Sequence, residues 1–131
     1  KDFFNCDSGM IPWLLLIEVL SVTGKSLAEL VDDYIQDFPS SGERNFRLDK
    51  TNAATISQGL EQKYAHLNPQ KNTLDGLSFD FGNWRFNLRS SNTEPLIRLN
   101  VEACGDATLL TQKTKEIIDY LQKQGAIATD H

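Results

Sequence analysis

Three runs of alternating apolar residues in the second half of the chain limit its fold more than any other feature. They cover residues 77–81, 84–88 and 97–103, and in each run every second side chain is apolar. Alternation at period two places those side chains on one face of a β-strand. Gly82-Asn83, between the first two runs, is a two-residue hairpin signal. The pattern predicts a three-stranded antiparallel meander with one apolar face that other elements must cover.

Two further segments have the spacing of amphipathic helices and can supply that cover. The first follows Asn52, a capping residue, and ends at Asn68-Pro69. Its predicted inward side consists of Ala53, Ile56, Leu60, Tyr64 and Leu67. The second helix runs from about Asp106 to Gln124. Its predicted inward side consists of Leu109, Leu110, Ile117, Ile118 and Leu121.

A short strand at residues 46–48 precedes the first of these helices and completes the order β-α-β-β-β-α. The sequence therefore predicts an α+β domain of two layers, in which two helices cover an antiparallel sheet. We expect the final residues 126–131, AIATDH, to be frayed.

The first part of the chain has a different character. Residues 10–22 predict a helix that is apolar nearly all round, with Asp7-Ser8 as its N-cap and Gly24 as its end. It contains Glu18 and is shorter than the roughly 20 apolar residues of a membrane span. No basic region precedes it, so it does not resemble a signal peptide. Because such a helix needs cover on every side, we expect the chain to be a piece of a larger protein.

A second helix begins at Ser26, which forms a capping box with Glu29, and Pro39 ends it. Its apolar face consists of Leu27, Leu30, Val31, Tyr34, Ile35 and Phe38. The residues that follow, PSSGE at positions 39–43, predict a linker. The chain thus divides into residues 1–38, two helices left over from an upstream domain, and residues 39–131, the α+β domain.

The net charge and the cysteines limit the partners and sites that we expect for this chain. A net charge of −5 and a pI of about 4.9 argue against nucleic acid and anionic membranes, which favour basic surfaces. Cys6 and Cys104 lie far apart and suggest neither a disulfide framework nor a zinc site. We expect both to be buried, reduced thiols of a cytoplasmic protein.

The connection between the last two apolar runs carries the chemistry. Arg89, Ser90, Ser91, Asn92 and Thr93 follow one another there, and a second arginine, at position 98, stands early in the next run. Arginine can bond two phosphate oxygens at once, and hydroxyl, amide and turn N–H groups add short donors. A solvated hairpin connection, whose polar side chains bond their own backbone, fits the same composition. Composition alone leaves both interpretations open.

The order of the residues favours the phosphate site. The string RSSNTEPLIR, residues 89–98, resembles the C-terminal phosphate-binding loop of the α-D-phosphohexomutases, the phosphomannomutase/phosphoglucomutase superfamily. The preceding DGLSFDFGNWRF, residues 75–86, is similar to the strand and tryptophan-containing hairpin ahead of that loop. The strings DFFNCDSGMIPWLL and KSLAELVDDYIQDFPSSGE, at 2–15 and 25–43, resemble the end of the third domain and its passage into the fourth.

The resemblance implies a four-domain enzyme that exchanges a phosphoryl group between an active-site phosphoserine and a hexose phosphate. It implies a Mg²⁺ ion held by aspartates outside this chain, and a fourth domain, similar to the TATA-binding fold, that clamps the non-reacting phosphate. The clamp residues that it implies are Arg89, Ser91, Asn92 and Thr93, with Arg98 added. Ser90 is a spacer in the motif, and Glu94 is expected to face outward or to orient an arginine.

The resemblance also implies what the substrate and the upstream domains are. The substrate would be mannose or glucose 1- or 6-phosphate, and the SNTEP form favours phosphomannomutase/phosphoglucomutase over the phosphoglucosamine mutases, which tend to carry glycine in place of Asn92. The chain has no Ser-His-Asn-Pro-like loop, no Asp-x-Asp-x-Asp loop and no Gly-Glu-x-Ser loop. We therefore expect it to be inactive alone, to need the missing upstream domains, and to hold no catalytic residue and no metal.

Two other classes of function fit the same sequence. One is a non-catalytic module that recognises phosphorylated sugars or proteins. The other is an interaction domain built on a curved sheet, although the acidic pI counts against nucleic acid as its ligand.

Overall fold

A computed structural model describes residues 9–49, 51–91 and 93–129. The chain separates into two compact units, Lys1–Ile35 and Gln36–His131. The described helices are α1 (Met10–Thr23), α2 (Leu27–Asp37), α3 (Ala53–Tyr64) and α4 (Ala107–Lys123), with a 3-10 turn at Ala65–Leu67. The described strands are β1 (Arg44–Leu48), β2 (Gln70–Asn72), β3 (Leu77–Asp80), β4 (Trp84–Ser90), β5 (Leu96–Ala103) and β6 (Ala126–Thr129).

The two N-terminal helices begin and end largely as predicted. Gly24 adopts a left-handed φ of 65°, and its N–H donates to Leu20 O, which closes α1. Ser26 and Glu29 form the predicted capping box, because the Ser26 N–H donates to the Glu29 carboxylate over 2.7 Å. The expected N-cap at residues 7–8 lies outside the described residues. Neither α1 nor α2, both of which are fully described, contains a buried residue. No described helix is long and apolar enough to cross a membrane.

The second unit is built on one antiparallel sheet with the strand order β2-β3-β4-β5-β1-β6. The predicted meander is confirmed as β3, β4 and β5, and Phe81 N–H donates to Trp84 O across the Gly82-Asn83 turn. The fold class is therefore confirmed as α+β. The prediction of a frayed C-terminus is wrong for β6, which pairs with β1, because the outer edge of β1 offers backbone partners that a short strand can use. Residues 130–131 lie outside the described residues.

The core lies between the sheet and helices α3 and α4. Its buried residues include Phe46 from β1, Ile56, Leu60 and Tyr64 from α3, Phe86 from β4, Leu99 from β5, and Ile117 and Leu121 from α4. Leu109, Leu110 and Ile118 are partly buried against it, as predicted. Leu67 is half exposed instead of inward-facing, because the helix tightens into a 3-10 turn at Ala65 and leaves the 3.6-residue period. The expectation of buried thiols is wrong for Cys104, which is exposed, and Cys6 is not among the described residues.

A charged cluster connects α3 to α4 beside this core. The Glu116 carboxylate lies 2.8 Å from Lys63 Nζ and 2.9 Å from Lys113 Nζ, and it accepts a hydrogen bond of 3.0 Å from Tyr64 Oη. Burial by itself would raise the pKa of Glu116, but its three hydrogen bonds outweigh that effect and lower the pKa to about 2. Burial, and then the hydrogen bond to Glu116, raise the pKa of the Tyr64 hydroxyl.

The segment predicted as a linker is hydrogen-bonded to the sheet. Gly105 N–H donates to Asp37 O over 2.7 Å, and Ala103 N–H donates to Pro39 O over 3.0 Å. Ser41 N–H donates to Val101 O over 2.8 Å. Residues 37–41 thus run along the C-terminal half of β5, and β1 continues along its N-terminal half.

Candidate functional site

Alternate residues of β4 and β5 lie on the sheet face opposite α3 and α4. They are Arg85, Asn87 and Arg89 on β4 and Arg98, Asn100 and Glu102 on β5. The buried residues between them face the core, so this open face is polar and the other face is apolar. The register of the two strands pairs Arg89 directly with Arg98. Pairing across the hairpin therefore brings together two of the predicted site residues that are nine positions apart in sequence.

Both guanidinium groups lie close to the carboxylate of Glu43. Arg89 Nη2 donates to Glu43 Oε2 over 2.9 Å, and Arg98 Nη1 lies 3.7 Å from Glu43 Oε1. A second carboxylate, that of Asp75, lies 3.6 Å from Arg89 Nη1. The hydrogen bond to Glu43 is the main cause that raises the pKa of the Arg89 guanidinium above its ordinary value. Nε of Arg98 is buried and has no hydrogen-bond partner among the described residues.

The loop between the strands brings two of the predicted hydroxyl groups together. Ser91 N–H donates to Leu96 O over 2.8 Å, which closes the base of the loop. Ser91 Oγ and Thr93 Oγ1 lie 3.5 Å apart, so both can donate to one acceptor. Asn92 lies outside the described residues. Glu94 is exposed, and its carbonyl oxygen accepts a hydrogen bond from Leu96 N–H.

The turn before β3 supports the backbone of Arg89. Gly76 has a φ of 79°, and a Cβ there would lie 2.3 Å from Leu88 O and 2.7 Å from Arg89 Cα. Only glycine fits such a close approach at that conformation. Asn87 Nδ2 donates to Asp75 O over 2.8 Å and fastens the turn to β4. The turn at Asp75-Gly76 therefore packs against the backbone of Arg89.

Sequence reasoning missed Glu43, Asp75 and Gly76 as parts of this site. Asp75 and Gly76 had a signal, since an Asp-Gly pair ahead of a strand marks a turn with positive φ. Glu43 had none, because it stands at the end of a polar segment 46 residues before Arg89. Its place follows from long-range strand pairing.

A concave groove of about 470 Å³ lies on the same face of the sheet, and neither Arg89 nor Arg98 lines it. Its lining includes Asp80, Arg85, Asn87, Asn100 and Glu102. Several of these groups already bond to one another: Arg85 pairs with Glu102 at 2.6 Å, and the Asp80 carboxylate accepts the Gly82 N–H. Among the described residues, no three His, Cys, Asp or Glu side chains form a group that could hold a metal ion.

Family models match nearly the whole chain. The model described as "Phosphoglucomutase/phosphomannomutase, C-terminal domain" matches residues 43–119, which include Glu43, both arginines and the loop. The model described as "Phosphoglucomutase/phosphomannomutase, alpha/beta/alpha domain III" matches residues 1–38.

Several curated proteins resemble the chain along almost its full length. "Phosphohexose mutases" from Xanthomonas campestris pv. campestris is 52% identical over 122 residues, 93% of this chain and 27% of that protein. "Phosphomannomutase" from Salmonella montevideo is 52% identical over 121 residues, 92% of this chain and 26% of that protein. "Phosphomannomutase" from Vibrio cholerae is 42% identical over 127 residues, 94% of this chain and 26% of that protein. The chain spans about a quarter of the length of these relatives.

Proposed function

Because the chain belongs to the phosphoglucomutase/phosphomannomutase family, we propose that it is the C-terminal part of a phosphohexomutase. In this proposal the whole enzyme interconverts the 6-phosphate and 1-phosphate of mannose or glucose. Residues 1–38 are the final helices of its third domain, and residues 39–131 are its fourth domain. The match of relatives named as phosphomannomutases supports this assignment.

In this enzyme the present chain clamps the phosphate that is not being transferred. Arg89, Ser91, Asn92 and Thr93 bind its oxygens, and Arg98 adds a second positive charge. The observation that carries the proposal is the direct pairing of the two arginines beside a loop whose Ser91 and Thr93 hydroxyls lie 3.5 Å apart. A phosphate dianion is bound by several converging donors, and a forked arginine can bond two of its oxygens at once; this place offers both.

The clamp contributes orientation to the reaction and does not act on the reacting bond. A sugar phosphate held by its non-reacting end presents the other end to the transferring group at a fixed distance, which lowers the entropic part of the barrier. The donors bind a phosphate group and make no demand on the sugar, so either end of the substrate can occupy the clamp. The phosphoserine and the sugar-binding loop come from outside this chain, which alone is inactive.

Mg²⁺ belongs to the proposed enzyme but not to this part of it. The acidic side chains of the described residues do not converge into a set of oxygen ligands, so they do not fit the ion. In the whole enzyme, aspartates from outside this chain would hold Mg²⁺, which would supply positive charge beside the transferring phosphoryl group. We also propose a cytoplasmic location, since Cys104 is a free thiol and the two cysteines are far apart in sequence.

A titration of the chain with mannose 1-phosphate tests the clamp. We expect shifts of the backbone amides from Arg89 to Thr93 in NMR spectra, with a dissociation constant of about 1 mM for a clamp without its partner domains. Arg89→Ala should abolish these shifts. Arg85→Ala is the matched control, because Arg85 lies on the same strand and face but pairs with Glu102.

Activity of the whole enzyme tests the assignment to a mutase. Arg89→Ala should lower kcat/KM by roughly 100-fold, the effect of losing one well-placed charged donor. Arg85→Ala should leave kcat/KM nearly unchanged. If Arg89→Ala leaves kcat/KM unchanged, the clamp assignment is wrong. If the whole protein, with its upstream domains, binds sugar phosphate without converting it, a non-catalytic binding module is the better description.

A further inference from the structure

The segment that precedes β1 carries one extra residue against β5. Ser40 forms a bridge with Glu102, and Arg44 pairs with Leu99, so four steps along one strand face three steps along the other. The extra residue produces a β-bulge, and Gly42 within this bulge has a left-handed φ of 65°. Bulges of this kind redirect the side chains that follow them.

The bulge decides which face of the sheet receives Glu43. In the register of the Ser40 bridge, position 43 would lie opposite Leu99, whose side chain is fully buried in the core. The extra residue shifts the register by one, and a shift of one residue moves a side chain to the opposite face. Glu43 consequently lies on the open face, where its carboxylate meets Arg89 and Arg98.

The Glu43 carboxylate offsets the electrostatic repulsion between the two arginines. Like charges directly opposite each other on one face of a sheet repel, and Arg89 and Arg98 occupy such a pair. Each oxygen of the Glu43 carboxylate faces a different guanidinium group, at 2.9 Å and 3.7 Å. The carboxylate thus keeps the two cations side by side, where a single anion can reach both.

We propose that Glu43 is a positioning residue of the phosphate clamp, which holds the Arg89 and Arg98 guanidinium groups together for the ligand. The inference rests on the proposed function and adds to it a residue from the bulged segment that precedes β1. Arginine has five N–H donors, and Glu43 takes only one bond at Nη2 of Arg89, so donors remain for phosphate. Groups that fix the orientation of ligand-binding side chains are a regular part of such sites.

The test is the affinity of the 131-residue chain for mannose 1-phosphate, measured by NMR titration. Glu43→Gln keeps the shape but removes the charge, and we expect it to weaken binding about fivefold, as for the loss of one cross-strand charge interaction. Glu43→Asp, which keeps the charge, should recover part of that affinity. Glu102→Gln is the matched control: it removes a carboxylate on the same face that pairs with Arg85. It should leave the affinity unchanged.

In the whole enzyme, a positioning role predicts a split between the kinetic constants. Glu43→Gln should raise KM about fivefold with a smaller change in kcat, because the phosphate is held less tightly while Arg89 still orients the substrate. Its urea midpoint should match that of the unaltered chain, which excludes misfolding as the cause of weaker binding.

The outcomes separate this inference from the proposed function. If the chain binds mannose 1-phosphate through Arg89 and Glu43→Gln binds equally well, Glu43 is not a positioning residue. Tighter binding by Glu43→Gln would mean that the carboxylate competes with the ligand, which also overturns the inference. If the unaltered chain shows no binding, or if Arg89→Ala binds normally, the proposed function fails and the inference fails with it.

Discussion

Two carboxylates in this molecule each lie between a pair of cations, and their surroundings differ. Glu116 pairs with Lys63 on α3 and with Lys113 on α4. It also accepts a hydrogen bond from the hydroxyl of Tyr64, whose ring is buried in the core. Glu43 joins two arginines on the open face of the sheet. The side chain of Glu116 is 31% exposed and that of Glu43 is 44% exposed.

Because these surroundings differ, we expect the same charge pattern to stabilise the fold at Glu116 and, under the proposed function, to support ligand binding at Glu43. The Glu116 cluster fastens two helices over the core, and its third partner is an aromatic residue that cannot leave without opening that core. The Glu43 cluster lies on the sheet face opposite α3 and α4, so it fastens neither of these helices to the sheet. Among the described residues, Glu43 takes one hydrogen bond from Arg89, at Nη2, which leaves other N–H donors of that guanidinium group for a ligand. We therefore expect changes at Glu116 to affect unfolding and changes at Glu43 to affect ligand binding.

Moving the backbone beneath the arginine cluster should lower the free energy of unfolding more than any other change considered below. Gly76→Ala would place a Cβ 2.3 Å from Leu88 O and 2.7 Å from Arg89 Cα, so β4 or the turn must shift. We expect a loss of roughly 2–4 kcal/mol in the free energy of unfolding, from strain at positive φ together with overpacking. Urea unfolding measures this loss. The displaced Arg89 should also weaken binding of mannose 1-phosphate.

Gly82→Ala is the control for that experiment. Gly82 also has a positive φ, of 88°, but a Cβ there would meet no atom within 4 Å. We expect a cost of about 1 kcal/mol from the backbone conformation alone, with mannose 1-phosphate binding unchanged. If both variants lose the same free energy of unfolding, the close approach of Gly76 to Arg89 does not contribute to stability.

A change of pH tests the contribution of the Glu116 cluster to stability. Its pKa is lowered in the folded protein from the usual 4.5 to about 2, so the cluster stabilises the fold fully above pH 4.5. That contribution is lost as the pH falls from 4.5 towards about 2, because protons bind the unfolded chain first. Glu116→Gln should remove this part of the pH dependence. At pH 7 it should cost about 1–2 kcal/mol, a value reduced for solvent screening at a partly exposed group.

Urea midpoints at pH 7, 4.5 and 2.5 for the unaltered chain and for Glu116→Gln would measure that effect. Parallel loss of stability in both proteins would show that other carboxylates cause the acid sensitivity. Asp119→Asn, on the exposed side of the same helix, is a suitable control for a change of net charge alone.

The sequence predicted the elements whose residues repeat a burial pattern, and it missed those held by the backbone alone. The meander could be predicted because each of its strands has one buried face, so the apolar residues alternate. In contrast, β2 consists of the polar residues QKN, all exposed, and nothing in such a triplet indicates a strand. β6 is four residues long and depends on the free edge of β1, which is distant in sequence.

The candidate site divides in the same way. The arginines and the loop hydroxyls could be found because they lie within ten consecutive residues of a recognisable string. Glu43 could not, since its place depends on a bulge whose partner strand begins more than 50 residues later. A contact of that kind follows from the register of pairing, which a single sequence does not reveal.

The smallest expected effect is that of Glu43→Gln on folding, and it is the most direct comparison with Glu116→Gln. Both variants replace a carboxylate between two cations by an amide of the same shape. At Glu43 the pairs are solvent-exposed, and one of the two separations is 3.7 Å, so we expect a change of less than about 0.5 kcal/mol in the free energy of unfolding. Urea unfolding of the two variants at pH 7, side by side, measures the difference. A loss at Glu43 as large as that at Glu116 would mean that the open face also depends on its charge cluster for stability. The division between a stabilising and a binding carboxylate would then be wrong.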